Sequence, residues 1–280
     1  MDNTIYKNRR NNLEKSLPKD SVLLIPGADT QFRNADSAYA FRQDSSFYYF
    51  SGFCEPSSLI AIVNNKDGIS SIAFVQPKDK LKEIWDGNRA GPIGAVDEFL
   101  FDKAYDNTQI DTIMPDILNG SSQVLYPIGK KSGFDQQVID WTTEASSKDR
   151  HSKSINIIDA SSLIGNARLI KDEQEIKLIR KACDISAEAH IEAMKSVKNI
   201  DSEEAMEGMY IHEFSKRGGR FQAYTPIVAG GENACILHYV ENNQKLQKSD
   251  LLLVDAGCEY EMYASDITRT FPISGKFSEE

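Results

Sequence analysis

The sequence Leu-Leu-Leu-Val-Asp-Ala-Gly at residues 251–257 organises the carboxyl-terminal part of this chain. Its four apolar residues predict a β-strand that is covered on both faces, and the strand ends in a carboxylate at a small Ala-Gly turn. Burying a carboxylate is costly unless a partner neutralises its charge, and a cation is the natural partner. The pattern therefore predicts a metal ligand at Asp255. The alternative is an ordinary aspartate that caps a turn or a helix.

A second aspartate, Asp266, follows in Ser-Asp-Ile-Thr-Arg-Thr-Phe at residues 265–271. It lies in a β-like run, 263–271, which the short sequence Cys-Glu-Tyr-Glu separates from the first strand. We expect the two runs to pair as neighbouring antiparallel strands, so that both carboxylates converge on one point. Oxygen ligands of this kind suit Mn, Mg, Co or Zn, and a shared carboxylate can bridge two such ions.

The histidine nearest to the aspartate pair is His238, in Gly-Gly-Glu-Asn-Ala-Cys-Ile-Leu-His-Tyr at residues 230–239. It follows the β-like residues 235–237 and is expected to project toward the same site, where imidazole can transfer a proton or hydrogen-bond a polarised carbonyl. His190 and His212 fall inside predicted helices. Because neither has a second ligand one helical turn away, we interpret them as ordinary hydrogen-bonded or solvent-facing histidines.

Composition restricts the class of protein. The 280 residues, 40% of them hydrophobic, are enough for two domains, and the formal net charge of −10 disfavours nucleic acid and anionic membranes as partners. The first twelve residues are polar, and no apolar run is long enough to span a bilayer, so we expect a cytoplasmic location. Four widely spaced cysteines are interpreted as reduced packing residues.

Residues 1–170 have the pattern of one α/β domain. Predicted strands lie at 20–27, 58–63, 71–75, 124–128 and 155–159, and a predicted helix lies at 134–148. The second and third strands are expected to form a hairpin, and the whole to form a mixed sheet with covering helices. The aromatic-rich segment 41–53 is interpreted as packing between sheet and helix rather than as a ligand cage.

The second part of the chain opens with two predicted helices. A capping box at 172–175 begins a long helix that ends near Lys198, and a second box at 201–204 begins another that stops at Gly218-Gly219. The spacing of apolar residues predicts the buried faces of the two helices: Ile176, Ile179, Cys183 and Ser186 on the first, and Ala205, Met209 and Phe214 on the second.

Three of these segments, 230–239, 255–257 and 265–271, closely resemble the aminopeptidase P (Xaa-Pro aminopeptidase) family of pita-bread metallohydrolases. Segments 33–36 and 41–53 resemble the amino-terminal domain of the same family. The resemblance implies an α/β (α+β) chain. Residues 1–170 would form a ribonuclease-H-like domain of the creatinase/aminopeptidase P type, and 171–280 the first part of a pita-bread catalytic domain.

By resemblance, the chemistry depends on two divalent metal ions, most often Mn(II). Asp255 then chelates one ion, Asp266 bridges both, and a metal-bound hydroxide attacks the bond between the first residue of a peptide and a following proline. His238 would contact the substrate beside that bond. Tyr224 matches a tyrosine near the metals, although a buried core phenol is an equal alternative.

The resemblance also concerns Trp85, in Ile-Trp-Asp-Gly-Asn-Arg at residues 84–89. In the family a similar loop reaches toward the active site of a neighbouring subunit, which implies a homo-oligomer, either a dimer or a tetramer. An exposed tryptophan on a glycine-containing loop fits such a contact. A half-buried surface tryptophan is the alternative.

The chain departs from the family pattern in one respect. The remaining family ligands, a histidine and two glutamates, would lie after Glu280, so the sequence predicts a truncated catalytic domain and an inactive fragment. Two other functions stay open. A prolidase or another pita-bread hydrolase would be distinguished by testing dipeptides against longer peptides, and a non-catalytic pita-bread binding module would bind no metal.

Overall fold

The computed structural model describes residues 3–13, 16–148 and 154–279. The chain divides into two compact units, Met1–Ile170 and Lys171–Glu280. Within the described residues, no helix combines the length and the apolar character needed to cross a membrane.

The first unit contains helices on both sides of a six-stranded sheet. Its helices are α1 (Thr4–Asn12), α2 (Ser45–Ser51), α3 (Lys80–Asp86), α4 (Gly91–Asp97), α5 (Ile110–Leu118), α6 (Ser132–Ser147) and α7 (Ser161–Leu169). Its strands are β1 (Ser21–Pro26), β2 (Phe32–Asn34), β3 (Ser37–Ala38), β4 (Leu59–Asn65), β5 (Gly68–Val75), β6 (Lys103–Asp106), β7 (Gln123–Tyr126) and β8 (Asn156–Asp159). A 3₁₀-helix covers Asn107–Gln109.

The main sheet has the strand order β6-β5-β4-β1-β7-β8, and β2 and β3 form a separate pair. The central strands β1, β4 and β5 pair antiparallel, whereas β6, β7 and β8 join by parallel pairing. This confirms the five predicted strands, the β4–β5 hairpin and the mixed α/β class. The hairpin forms because both strands are apolar and a polar turn separates Asn65 from Gly68.

Each face of this sheet has its own hydrophobic core, because successive side chains of a strand point to opposite faces. On β1, Leu23 and Ile25 belong to the core shared with α2 and α7, whereas Val22 and Leu24 belong to the core shared with α5 and α6. All four side chains are almost fully buried. The central strands are therefore covered on both sides.

The aromatic-rich segment forms α2, whose amino terminus is capped by Asp44 through the N–H groups of Ser46 and Phe47. The helix ends at Gly52 in the left-handed conformation. Phe47 and Phe50 are almost completely buried in the first core, together with the neighbouring Phe53, which confirms the packing interpretation of this segment.

The second unit contains two helices and two three-stranded sheets. Its elements are α8 (Glu173–Ser196), α9 (Glu203–Lys216), β9 (Phe221–Gln222), β10 (Ile227–Gly230), β11 (Leu251–Asp255), β12 (Cys258–Tyr260), β13 (Tyr263–Ala264) and β14 (Thr268–Pro272). The sheets have the orders β10-β11-β14 and β13-β12-β9. Short 3₁₀-helices cover Val197–Asn199 and Gly231–Cys235.

One of the two predicted helix caps is confirmed. Asp172 and Glu175 form the capping box that begins α8. The second box is wrong, because the cap of α9 is Ser202, whose side chain accepts from the N–H of Ala205. The residue after the cap, Glu203, is instead buried in the interior of the unit.

The predicted buried faces of both helices are also wrong in part. Ile176 on α8 is 46% exposed, and the buried face carries Leu178, Ala182, Ile185, Ser186, Ala189, His190 and Ala193. On α9 the buried apolar residues are Met206, Tyr210 and Phe214. Small residues line the buried side of α8 because they let the helix approach the strands closely, so the largest apolar residues did not mark its face.

The expectation that β11 is covered on both faces is confirmed only in part, because on the second face Leu253 packs against a small cluster of Ile227, Ala229 and Tyr239 but stays partly exposed. Leu252 and Val254 are fully buried against the core shared with α8 and α9, whereas Leu251 is 47% exposed and Leu253 is partly exposed. An antiparallel sheet needs only one packed face, and β11 pairs antiparallel with both of its neighbours. The four apolar residues were too short a pattern to distinguish the two cases.

The four cysteines are free thiols. Cys258 is buried and Cys183 is partly buried, but Cys54 and Cys235 are exposed. The interpretation of all four as packing residues is therefore wrong for the exposed pair, and their reduced state stays a prediction.

Candidate active site

Four of the five predicted site residues meet in one cavity of the second unit. Tyr224, His238, Asp255 and Asp266 line a space of about 390 Å³, together with Thr225, Ile227 and Val240. The phenol of Tyr224 donates a hydrogen bond to Asp255 Oδ1, and the same phenol oxygen lies 3.1 Å from Asp266 Oδ1. Both carboxylates thus face a single point.

Asp255 is placed by strand pairing. It is the last residue of β11, where it is opposite Ile227 of β10 on one side and Thr268 of β14 on the other. The next residue, Ala256, donates its N–H to the carbonyl of Ile267, the residue before β14, and so extends the hydrogen bonding between the two strands. The carboxylate is consequently fixed at the end of the central strand of its sheet.

The predicted antiparallel pairing of the two runs is confirmed for β11 and β14, but Asp266 does not lie on the paired strand. The run 263–271 is not one strand, because β13 pairs with β12 and β14 pairs with β11. Asp266 lies in the short link between these strands of different sheets. The intervening hairpin turns at Glu261 and Met262, whose φ angles of 45° and 74° match the left-handed turn that joins two twisted strands tightly.

Gly257 allows the two aspartate-bearing segments to touch. A Cβ atom at this position would lie 1.9 Å from the carbonyl oxygen of Ser265 and 3.1 Å from the backbone nitrogen of Asp266. No side chain fits there without moving backbone. The Ala-Gly sequence after Asp255 is therefore needed for the close approach of the chain that carries Asp266.

His238 lies on an exposed segment rather than on or after a strand. Residues Gly231–Cys235 form a 3₁₀-helix, and the next two apolar residues point to solvent, with Leu237 88% exposed. The prediction of β structure at 235–237 is wrong because a strand needs a pairing edge. At the edge of β10, the backbone N–H groups of Val228 and Gly230 donate instead to the side chains of Asn242 and Glu203, respectively.

The electrostatics of the site keep the phenol protonated. Burial raises the pKa of Tyr224, and the nearby carboxylates of Asp255 and Asp266 raise it further. With a single proton, the phenol donates to one carboxylate at a time. The remaining lone pairs of the two carboxylates are hard oxygen donors of the kind that divalent cations prefer.

The two carboxylates fit a cation site but form only part of one. Among residues 3–13, 16–148 and 154–279, no group of three or more histidine, cysteine, aspartate or glutamate side chains is close enough together to hold a metal ion. Catalytic metals are held by several protein ligands. Asp255 and Asp266 are two potential oxygen ligands, fewer than such a metal needs.

The sequence did not indicate that His190 lies beside this site. Its Nε2 is 3.1 Å from the carbonyl oxygen of Ala256, and its Nδ1 is 2.8 Å from the hydroxyl of Tyr210. Burial lowers the pKa of His190, which favours a neutral ring that donates to the carbonyl and accepts from the phenol. The interpretation as an ordinary hydrogen-bonded histidine is confirmed, as is that of His212, which is exposed. In the sequence, only the position of His190 on the buried face of α8 could have indicated that it lies near the site.

Trp85 belongs to the other compact unit. It lies in the last turn of α3 and is 88% exposed. The predicted loop is wrong for residues 84–86, which are helical, and right for residues 87–89, which follow the end of the helix. The half-buried alternative is also excluded by the exposure of the indole.

Comparison with known proteins agrees with this geometry. Residues 6–126 match the family model described as "Aminopeptidase P, N-terminal domain", and residues 177–280 match "Metallopeptidase family M24". The chain is 38% identical to the Xaa-Pro aminopeptidase of Haemophilus influenzae across 98% of its own length. The chain resembles the aminopeptidase P family over nearly its whole length. It spans 62% of the length of that relative.

Solved structures lead to the same family. Aminopeptidase P from Escherichia coli with the inhibitor Pro-Leu superposes with a TM-score of 0.94 at 36% identity. The zinc-substituted Escherichia coli enzyme in complex with product gives a TM-score of 0.94 at 35% identity. In both cases all of this chain and 64% of the other are covered. The resemblance and the fold class are thus confirmed, and the metallopeptidase family implies divalent metal ions.

Proposed function

We propose that the protein is a metallo-aminopeptidase that releases the first residue of a peptide when proline is the second. The observation that supports this most strongly is the convergence of His238, Asp255 and Asp266 in one cavity of an aminopeptidase P chain. Two acidic ligands and one exposed imidazole are suited to hydrolysis of an amide rather than to redox or transfer chemistry.

We assign two divalent cations, preferably Mn(II), to the carboxylates. Asp255 and Asp266 would hold these ions, and the phenol of Tyr224 lies within hydrogen-bonding distance of both carboxylates. When bound, the ions supply a nucleophile from water near neutral pH, because coordination lowers the pKa of water from about 15.7 toward about 7.

The other residues of the cavity bind and orient the peptide. The exposed imidazole of His238 hydrogen-bonds the carbonyl of the bond to be cleaved, and the phenol of Tyr224 keeps its proton and holds the carboxylates in place. A peptide bond to proline has no N–H to donate. The apolar side chains of Ile227 and Val240 in the cavity wall suit the proline ring better than a polar wall would.

The substrate is tested with the product of the complete gene, loaded with Mn(II) and given an Xaa-Pro tripeptide and the matching Xaa-Pro dipeptide. We expect release of the first residue from the tripeptide at the higher rate. Preference for the dipeptide would identify a prolidase instead. Failure to bind metal or cleave either peptide would support a non-catalytic module and overturn the proposal.

The metal assignment is tested by Asp266→Asn in the same gene product, with Glu261→Gln as the matched control. Glu261 is an exposed acidic residue in the nearby hairpin turn, so its substitution removes one charge without touching the cavity. We expect Asp266→Asn to lower the bound metal measured by atomic emission, because bridging needs an anion shared by two cations. Equal metal loss in both variants would contradict the assignment.

We also propose that the protein is a homo-oligomer, a dimer or a tetramer, with Trp85 at the subunit contact. The support is an apolar surface on α3, where Leu81, Ile84 and Trp85 are all largely exposed. Trp85→Ala should raise KM for short peptides and leave the metal content unchanged. Lys82→Ala, on the same helix, is the control. A monomeric gene product with full activity would rule this out.

The domain assignment is a proposal as well: residues 1–170 as the ribonuclease-H-like amino-terminal domain and 171–280 as the first part of the pita-bread domain. Its support is that the two family models each match residues of one compact unit. The cytoplasmic location and the absence of nucleic acid and membrane partners, both expected from the sequence, stay predictions.

A further inference from the structure

The carboxylate of Glu203 is fully buried in the second unit, although it belongs to the first residue of α9. A buried carboxylate is costly unless hydrogen bonds satisfy its oxygens. Glu203 accepts four hydrogen bonds, two on each oxygen: from the N–H of Gly230 (2.8 Å) and Asn233 Nδ2 (3.0 Å), and from the hydroxyl of Tyr239 (2.7 Å) and the N–H of Gln244 (2.9 Å).

These four donors belong to one continuous segment, residues 230–244, which we call the histidine loop because it carries His238. Gly230 is its first residue and Gln244 its last, so the two oxygens of Glu203 hold both of its ends. The backbone N–H of Glu203 also donates to the carbonyl of Gln244, at 2.9 Å. One side chain therefore closes the base of the loop.

The middle of the histidine loop is held by Tyr239. Its side chain is 6% exposed, whereas Leu237, His238 and Val240 around it are exposed. Burial raises the pKa of the Tyr239 hydroxyl, and the hydrogen bond to Glu203 raises it further, so the hydroxyl remains a donor. Glu203 contacts the loop between its ends through Asn233 and Tyr239, and His238 is adjacent in sequence to Tyr239.

A second buried side chain supports the same arrangement from the edge of β10. Asn242 accepts from the N–H of Val228 at 2.9 Å and donates to the carbonyl of Pro226 at 2.9 Å. Asn242 and Glu203 together satisfy alternate N–H groups of this edge, where a neighbouring strand would otherwise bind. The histidine loop is therefore free to follow an irregular path over the cavity.

We propose that Glu203 is a positioning residue for peptide binding: by holding both ends of the histidine loop and Tyr239, it sets the place of His238 at the cavity. The role deepens the function proposed above, and it rests on that function for the identity of the ligand. Glu203 does not line the cavity with His238 and Asp255, so it acts through the loop and not on the peptide itself.

The structural part is tested on the 280-residue polypeptide by amide hydrogen exchange, with Glu203→Gln and its matched control Glu204→Gln. Both substitutions remove one charge from the first turn of α9, but Glu204 is exposed. An amide nitrogen cannot accept, so Glu203→Gln loses acceptors for two of the four donors. We expect exchange in residues 230–244 to rise about tenfold or more, with the amides of β11 unchanged and no effect of Glu204→Gln.

Two outcomes of this test would overturn the proposal: unchanged exchange in the histidine loop of Glu203→Gln, or an equal rise in the loop and in β11. If Glu203→Gln fails to fold, Tyr239→Phe provides the second variant, because it removes one hydroxyl and leaves the ring. It should raise exchange in residues 236–241 by about threefold or more. No rise in that variant would count against the proposal.

The functional part is tested by kinetics on the product of the complete gene. Glu203→Gln should lower kcat/KM for an Xaa-Pro tripeptide by about tenfold. In a His238→Ala background the same substitution should have little further effect, since the imidazole it positions is absent. An equal factor in both backgrounds would show that Glu203 acts on general stability alone. If the unmodified gene product cleaves no peptide, the proposed activity fails, while the exchange result still decides whether Glu203 holds the loop.

Discussion

The six-stranded sheet of the first unit and the β10-β11-β14 sheet of the second differ in how completely their faces are covered. In the first unit, β1 and β4 lie in the middle of a six-stranded sheet with a hydrophobic core on each face. In the second unit, β11 is also a central strand, but Leu252 and Val254 on one face are fully buried while Leu251 is 47% exposed. The less completely covered sheet carries Asp255 at the end of β11, and Asp266 lies in the link that leads into its strand β14. A sheet can therefore hold charged ligands at its surface as long as its other face provides the core.

The largest expected effect concerns activity. The cavity contains two carboxylates, Asp255 and Asp266, and no cluster of three potential ligands occurs in the part of the chain that the structure describes. Because a catalytic metal needs several protein ligands, the 280-residue polypeptide with Mn(II) should show no turnover of a fluorogenic Xaa-Pro substrate above the blank. The Haemophilus influenzae relative serves as positive control. Turnover at a similar rate would show that the metal site uses residues assigned here to the scaffold.

The next effect compares the two faces of β11. Leu252→Ala should lower the free energy of unfolding by about 3 kcal/mol, because it leaves a cavity in the core shared with α8 and α9. Leu251→Ala, on the neighbouring exposed position, should cost less than about 1 kcal/mol. Urea denaturation followed by circular dichroism measures both. Equal losses would mean that the face of Leu251 is as well packed as the core face.

A smaller loss is expected at the contact between the aspartate-bearing segments. Gly257→Ala places a methyl group against the backbone of Ser265 and should cost about 2 kcal/mol, since backbone must move. Gly208→Ala in α9 is the matched control: its Cβ meets no atom within 4 Å, and alanine favours a helix by up to about 1 kcal/mol. Thermal unfolding of the two variants should shift in opposite directions. An unchanged unfolding temperature of Gly257→Ala would show that the two segments do not approach closely at Gly257.

The smallest expected effect is the pH-dependent contribution of Asp44 to the stability of the first unit. Burial of Asp44 opposes its charge, but the hydrogen bond from Lys130 and the N–H groups at the start of α2 outweigh this and hold its pKa below the ordinary value of 3.8. A lowered folded-state pKa contributes stability above the ordinary pKa, and this is lost as pH falls through the folded value. Asp44→Asn should therefore cost about 1 kcal/mol at pH 7.

Measuring the same two proteins at acidic pH shows whether the pKa of Asp44 is lowered or raised in the folded state. The difference in unfolding free energy between the unmodified chain and Asp44→Asn should shrink as the pH is lowered below about 4. Asp79→Asn, at the cap of the exposed helix α3, is the control for the change of cap chemistry alone. A difference that grew toward low pH would show that the pKa of Asp44 is raised instead.

Local patterns predicted those parts of the structure that neighbouring residues determine. The β4–β5 hairpin follows from two apolar runs and a polar turn, and the capping box of α8 follows from the spacing of Asp172 and Glu175. Asp255 was indicated by its place at the end of an apolar run, and the pair as a site by the resemblance of residues 230–239, 255–257 and 265–271 to the aminopeptidase P family. All of these are short-range signals that a single sequence contains.

Contacts between distant residues were not predictable in the same way. The division of residues 263–271 between two sheets depends on the close approach at Gly257, and the buried face of α8 depends on the strands that pack against it. Glu203 looked like one member of a helix-capping sequence. Its four donors lie between 27 and 41 positions away in the chain, so no local pattern could have indicated its burial.

The hairpin of β12 and β13 has a further consequence for how the chain folds. It joins the carboxylates of Asp255 and Asp266 through a connection of about ten residues, and a loop of that length closes in about 10–100 ns, while a hairpin forms in about 1–10 μs. Tyr224 and His238 approach from much farther back in the chain. The aspartate pair can therefore assemble as an autonomous local unit early in folding, before the longer loop closures deliver the histidine and the phenol.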